Sequence, residues 1–192
     1  WTAINQSSET FMESPQEILK RCTETLEPES FYAGLNAQGF NYGPHFQALH
    51  EIHYGNGEAL GKIEGTKKVR QSNSAYFFHP ALLDAGFQLL AAILPKDFGR
   101  QTEPFIYLPD GVAEFVLFEQ PGRSLWAHIK LNRPLSGSDS LSADLTFFSA
   151  EGKPVAAAKN LHLSKTRKTT LMALLDSESS KWLYRLHWEA QP

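Results

Sequence analysis

The segment "HPALLDAGFQLLAAIL", residues 79–94, limits what the chain can fold into. From Ala81 to Leu94 every residue is apolar or glycine, apart from Asp84 and Gln88. Pro80 suits the first turn of a helix, and Pro95 disfavours helical geometry at Leu94. The 14 residues between them predict a helix of about 21 Å at 1.5 Å per residue. A helix this apolar must be covered on most of its sides. Asp84 and Gln88 are four apart and share one face, a turn above one another.

The rest of the chain offers the cover. Strands are expected at 59–65, 105–108, 113–118, 124–131, 141–149 and 154–163. Turns are expected at Pro109-Asp110-Gly111, Pro121-Gly122, Ser136-Gly137 and Glu151-Gly152. Leu125, Ala127, Ile129 and Leu131 alternate with Trp126, His128 and Lys130, the period of a sheet with one face on a core. One long apolar helix followed by antiparallel strands indicates an α+β domain, with the sheet curled around the helix.

Upstream, Ser14-Pro15-Gln16-Glu17 reads as a capped helix start, with the helix expected to end near Thr25. A second helix is expected after Pro28, covering Phe31, Tyr32 and Leu35 and stopping near Gln38-Gly39. The loop "GFNYGPHF", 39–46, follows, and "KKVRQSNSAY" leads from the first strand to the apolar helix. "WLYRLHWEAQP" reads as a strand-like closing stretch.

A chain of 192 residues, 42% hydrophobic, suffices for one globular domain. The net charge of −3 and the scattered Lys and Arg argue against a nucleic-acid partner. No apolar run reaches the roughly 18 residues of a membrane span, and none is expected. The N-terminus lacks the basic start and apolar core of a signal peptide. The lone Cys22 excludes an intrachain disulfide framework and fits a reducing compartment, so the expected location is cytoplasmic. The first residue is Trp1, so the chain is expected to be a piece of something longer. His45, His50 and His53 cluster without a cysteine or acidic partner at ligand spacing, so no metal site is expected.

Two readings of the polar pair stay open on the residues alone. Asp84 can be a first-turn carboxylate stabilised by the helix dipole, with Gln88 simply bonded to it. Alternatively it faces an apolar pocket, where burial raises its pKa and makes it a proton donor oriented by Gln88.

Three motifs carry a family resemblance. "HPALLDAGFQ" resembles the HPxxxD and DxxxQ signature of the dehydratase domains of modular polyketide synthases. "GFNYGPHF" is similar to their GYxYGPxF loop, with Phe40 in place of the usual Tyr. "LPDGVAEFVLF" resembles their LPxxxxxV segment through Leu108, Pro109 and Phe115 or Val116. The three stand in the family's order.

The resemblance implies a hot-dog fold, a central helix wrapped by a curved antiparallel sheet, as the second half of a double hot-dog. It divides the chain into a linker with a short helix (1–26), a C-terminal hot-dog subdomain (27–166) and an extension toward the next synthase domain (167–192). The implied reaction removes water from a 3-hydroxyacyl thioester, giving an enoyl thioester. The substrate rides on the phosphopantetheine of an acyl carrier protein, and no cofactor is bound. Asp84 is then the acid and Gln88 its holder. Tyr42, Gly43, Pro44, Phe46, His79, Leu108 and Pro109 line the substrate. On the residues alone Phe46 reads as core, and His79 as a structural residue at the helix start. The family's base lies in a first half, within HxxxGxxxxP. No histidine of this chain begins that pattern; His53 has Gly57 four residues on, but Lys62 stands where Pro should be. The partners implied are therefore that N-terminal half, the carrier protein and neighbouring synthase domains. A non-catalytic acyl-binding or docking module, and a double-bond isomerase or oxygen-ring-forming variant, are the alternatives.

Overall fold

The computed structural model describes residues 13–94, 105–132, 140–167 and 169. The closing aromatic stretch, the turn at Ser136-Gly137, Pro95, residues 1–12 of the expected linker and nearly all of the expected C-terminal extension lie outside them. Chain order is α1 (Pro15–Leu19), β1 (Glu24–Thr25), α2 (Pro28–Ala37), β2 (Leu49–Gly55), β3 (Glu58–Glu64), α3 (Lys67–Ser72), a 3₁₀ turn (Asn73–Ala75), α4 (Pro80–Gln88), α5 (Leu90–Ile93), β4 (Phe105–Leu117), β5 (Ser124–Leu131), β6 (Ser140–Ser149) and β7 (Pro154–Arg167).

Among the described residues seven strands form one antiparallel sheet in the order β1-β2-β3-β5-β6-β7-β4. Its inner face carries Leu125, Ala127 and Ile129 of β5 and Leu145 and Phe147 of β6, all buried. Helix α4 lies against β3, β5 and β6. This is the wrapped-helix arrangement expected from the alternation of residues 124–131.

Gly86 makes that wrapping possible. A Cβ there would run into the Phe147 ring and come within 3.2 Å of Leu145. The missing side chain lets the helix backbone settle onto β6 at a distance no other residue permits.

Several local expectations need correcting. The capping box at Ser14 is present, with Ser14 N–H donating to Glu17 Oε2 at 2.9 Å, but α1 ends at Leu19 instead of near Thr25. Chain beyond it bends into β1, which pairs with β2. The apolar helix breaks at Leu89 into α4 and α5 rather than running unbroken. Pro109-Asp110-Gly111 is not a turn: β4 runs through it with a register shift. β4 is the last strand of the sheet, where a proline's missing N–H does no harm. Asp110 fastens that irregularity to β7, bonding His162 Nδ1 at 2.6 Å and accepting from Ser164 Oγ.

The outer face of the sheet has its own small cover. Ile18 and Cys22, at the end of α1 and just after it, pack with Leu60 and Phe148. Beside them the Glu58 carboxylate, 3% exposed, accepts from Arg21 Nε at 2.7 Å and Nη2 at 3.0 Å. His128 Nε2 lies 2.8 Å from Glu58 Oε2. Arg21 and His128 hold Glu58 down at a pKa of about 2, from an ordinary 4.5. Burial lowers His128, so the neutral ring donates its Nε2–H to the carboxylate.

Two outcomes follow for stability. Gly86→Ala should lower unfolding free energy by about 1–3 kcal/mol through overpacking, although alanine is the better helix former by about 1 kcal/mol; an unchanged urea midpoint would contradict the close approach. Glu58 and His128 both have depressed folded-state pKa values. Their stabilisation is present at neutral pH and lost on acidification, His128's below its ordinary 6.5 and Glu58's between 4.5 and about 2. Glu58→Gln should flatten the lower part of the stability–pH curve, and an unaltered slope there would count against the ion pair.

Candidate active site

Asp84 is the fifth residue of α4, since Pro80 is the first. No acidic residue occupies the first turn. The dipole-stabilised reading therefore loses its geometric basis, because that effect fades beyond the first turn. The cap is His79, whose Nδ1 accepts from Ala81 N–H at 3.1 Å. His79 Nε2 lies 3.1 Å from Ser72 Oγ, which itself donates to the Lys68 carbonyl. Both ring nitrogens thus have partners at the helix start.

Asp84 is half-buried, and burial pushes its pKa above the ordinary 3.8. Its Oδ2 accepts from Gln88 Nε2 at 2.7 Å, a bond that works the other way by favouring the carboxylate. Among the described residues no arginine or lysine pairs with Asp84. Two opposed effects act on Asp84: desolvation, which disfavours the carboxylate, and the Gln88 donor, which favours it.

Gln88 is 4% exposed and fully engaged. Besides Asp84, its Nε2 donates to the Phe46 carbonyl at 3.0 Å. Its Oε1 accepts from the Tyr32 hydroxyl at 2.9 Å. Tyr32 reaches in from α2, 56 residues away in sequence. In the sequence Tyr32 is simply one residue of the helix expected after Pro28, with no local signal of a role at this site.

The 39–46 loop passes over this end of α4. Tyr42 is half-buried and packs edge-on to Tyr32, with ring centroids 6.3 Å apart. Burial, and the charge of Asp84, push the Tyr42 pKa up to about 12. Gly43 and Pro44 are exposed, and no atom lies within 4 Å of where a Gly43 Cβ would stand. Phe46 is 41% exposed, so it is not core; its carbonyl, not its ring, meets Gln88.

Leu83 and Phe87 lie on the neighbouring face of α4. With Pro109, Val112, Phe115 and Leu161 they line an apolar cavity of about 360 Å³ between the helix and the β4–β7 edge. Leu108 is only partly buried and is not among its lining residues. Two histidines of the 45–53 stretch have partners other than Asp84: His45 Nδ1 lies 3.0 Å from Thr66 Oγ1, and His53 Nε2 lies 3.8 Å from Glu51. Among the described residues no three His, Cys, Asp or Glu side chains converge as metal ligands. No single helix among them is long and apolar enough to cross a membrane.

The fold and motifs have counterparts among known proteins. Residues 11–173 match the family model described as the polyketide synthase dehydratase N-terminal domain. The highly reducing polyketide synthase Preu1 of Preussia isomera is 34% identical over 97 residues, which is 48% of this chain and 4% of that protein. Among solved structures, the dehydratase domain from the CurJ module of curacin polyketide synthase superposes with a TM-score of 0.71 at 21% identity, over 81% of this chain and 56% of that one. GphF dehydratase 1 gives a TM-score of 0.63 at 30% identity, over 73% of this chain and 50% of that one. The chain thus spans about half the length of these solved dehydratase domains and a small part of the synthase. Its sheet wrapped on a central helix is the hot-dog fold of those neighbours, and the chain belongs to the polyketide synthase dehydratase family.

Proposed function

We propose that this chain is the acid-donating, C-terminal hot-dog half of a dehydratase domain. It would act on 3-hydroxyacyl thioesters carried on the phosphopantetheine of an acyl carrier protein. The observation that carries the reading is Asp84 itself: a carboxyl group raised in pKa by burial, held by a buried carboxamide, beside an apolar cavity. The matched family description names an N-terminal domain. The Asp and Gln motif in this chain is the one the resemblance ascribes to the second half, and on that ground the second half is preferred.

The chemistry needs two proton transfers. A base removes the C2 proton, which the thioester carbonyl makes acidic. Asp84 delivers its proton to the C3 hydroxyl, the C3–O bond breaks, and water leaves. Asp84 ends as a carboxylate, and the Gln88 Nε2–H bond stabilises that product charge. Protonation of the leaving oxygen is worth roughly 10²–10⁴-fold. Tyr42, Gly43 and Pro44 would border the thioester arm, and the cavity lined by Pro109 would take the acyl chain.

The base is assigned to a histidine of an N-terminal companion half. Two surface features favour such a companion. The edge strand β4 exposes Val112 (47%) and Phe115 (42%), with Phe118 (51%) just beyond it. The Leu83–Phe87 face of α4 stays open toward the same edge. Apolar surface of this kind marks an interaction site. Isomerising or ring-forming variants would use the same acid, and product analysis tells them apart.

In a protein carrying both halves, Asp84→Asn should cut dehydration of a 3-hydroxyacyl carrier substrate by roughly 10²-fold or more while circular dichroism stays unchanged. Undiminished turnover would refute the role. The 192-residue chain alone should show no loss of water from that substrate by mass spectrometry, and detectable loss would overturn the need for a companion half.

A further inference from the structure

We infer that Tyr32 is a positioning residue for the proposed acid: its hydroxyl fixes which way round the Gln88 carboxamide sits, and so leaves Asp84 Oδ1 as the oxygen that hands over the proton. The functional meaning of this rests on the dehydratase reading, whereas the hydrogen-bond chain does not.

The polarity of each bond follows from its partners. Leu49 N–H, 3.2 Å from the Tyr32 hydroxyl, can only donate. A tyrosine hydroxyl has one proton. With its oxygen accepting from Leu49, Tyr32 directs that proton to Gln88, 2.9 Å away. The carboxamide oxygen therefore faces Tyr32, and the NH₂ group faces the other way. There it meets two acceptors, the Phe46 carbonyl at 3.0 Å and Asp84 Oδ2 at 2.7 Å. Each NH₂ proton has a partner, and Oδ2 is committed to accepting. A proton on the Asp84 carboxyl then resides on Oδ1.

The reversed carboxamide shows what Tyr32 prevents. Its oxygen would be set against the Phe46 carbonyl, acceptor to acceptor. It would also accept a proton from Asp84, turning the acid inward and away from a substrate. Gln88 is 4% exposed, so water does not readily replace a lost partner. The Tyr32 ring is fixed by edge-on contacts with Phe31, at 5.3 Å, and Tyr42, at 6.3 Å, so the hydroxyl is delivered from a rigid base.

The test is a titration of the Asp84 carboxyl carbon by NMR in the 192-residue chain, comparing Tyr32→Phe with the unsubstituted protein. Weaker donation from Gln88 to the carboxylate should raise the Asp84 midpoint by roughly half to one unit. In a Gln88→Ala background, Tyr32→Phe should produce no further shift, because the effect travels through the carboxamide. A tyrosine that only anchors α2 would lower stability without moving Asp84. An unmoved midpoint, or an equal shift in both backgrounds, overturns the inference. Should Tyr32→Phe fail to fold, the unsubstituted chain still decides: Gln88 NH₂ protons protected from solvent exchange and without strong nuclear Overhauser effects to the Tyr32 ring support the carboxamide orientation, and unprotected protons or strong effects to that ring overturn it. In the two-half protein, Tyr32→Phe should lower kcat about tenfold with KM unchanged. Undiminished turnover in Asp84→Asn would instead sink the dehydratase role of Asp84 and leave this bond chain standing.

Discussion

The contact between Gly86 and Phe147 governs where everything else can be. A helix that is apolar on most sides is stable only when surrounded, and the sheet surrounds it only if helix and strand approach closely. With α4 seated on β6, its buried side is fixed as Ala81, Leu82, Ala85 and Gly86. The remaining positions are then not free. Leu83 and Phe87 turn toward the apolar cavity, and Asp84 and Gln88 turn toward α2 and the 39–46 loop. Packing of the core thus aims the polar pair, and the pair's chemistry inherits its precision from a glycine.

The proposed acid is a balance rather than a single perturbation. Burial alone would make Asp84 reluctant to ionise at all; the Gln88 bond alone would ionise it early. A group that must give its proton to a leaving oxygen and later take one back needs both influences. The buried carboxamide supplies the second without adding charge, and each of its polar atoms is bonded: oxygen to Tyr32, nitrogen to Phe46 and Asp84. A half-satisfied carboxamide in that position would cost stability and leave the acid loosely held.

Much of this was legible in the sequence because it is encoded locally. Asp84 and Gln88 are four apart, so one helix suffices to bring them together, and the Ser14 capping box and the alternation of 124–131 are equally short-range. The features that escaped are irregular or long-range. β2 was hidden by the bulge between Leu49 and Glu51, which breaks the period of two. The Pro109-Asp110-Gly111 turn signal was overridden by the pairing of β4 with β7. α3 is six residues long, started by a Thr66 cap on Val69, too short for any period to show. Tyr32 and Glu58 meet their partners only through the tertiary fold, and Phe46 contributes through its backbone, which no side-chain pattern reveals.

The most direct measurement is infrared difference spectroscopy of the chain against its Asp84→Asn variant across pH, following the carbonyl band of a protonated carboxyl. The expected result is a band, absent from the variant, that persists above the ordinary aspartate value of 3.8. A band already gone at or below that value would show an ordinary surface carboxylate and contradict the account at its root.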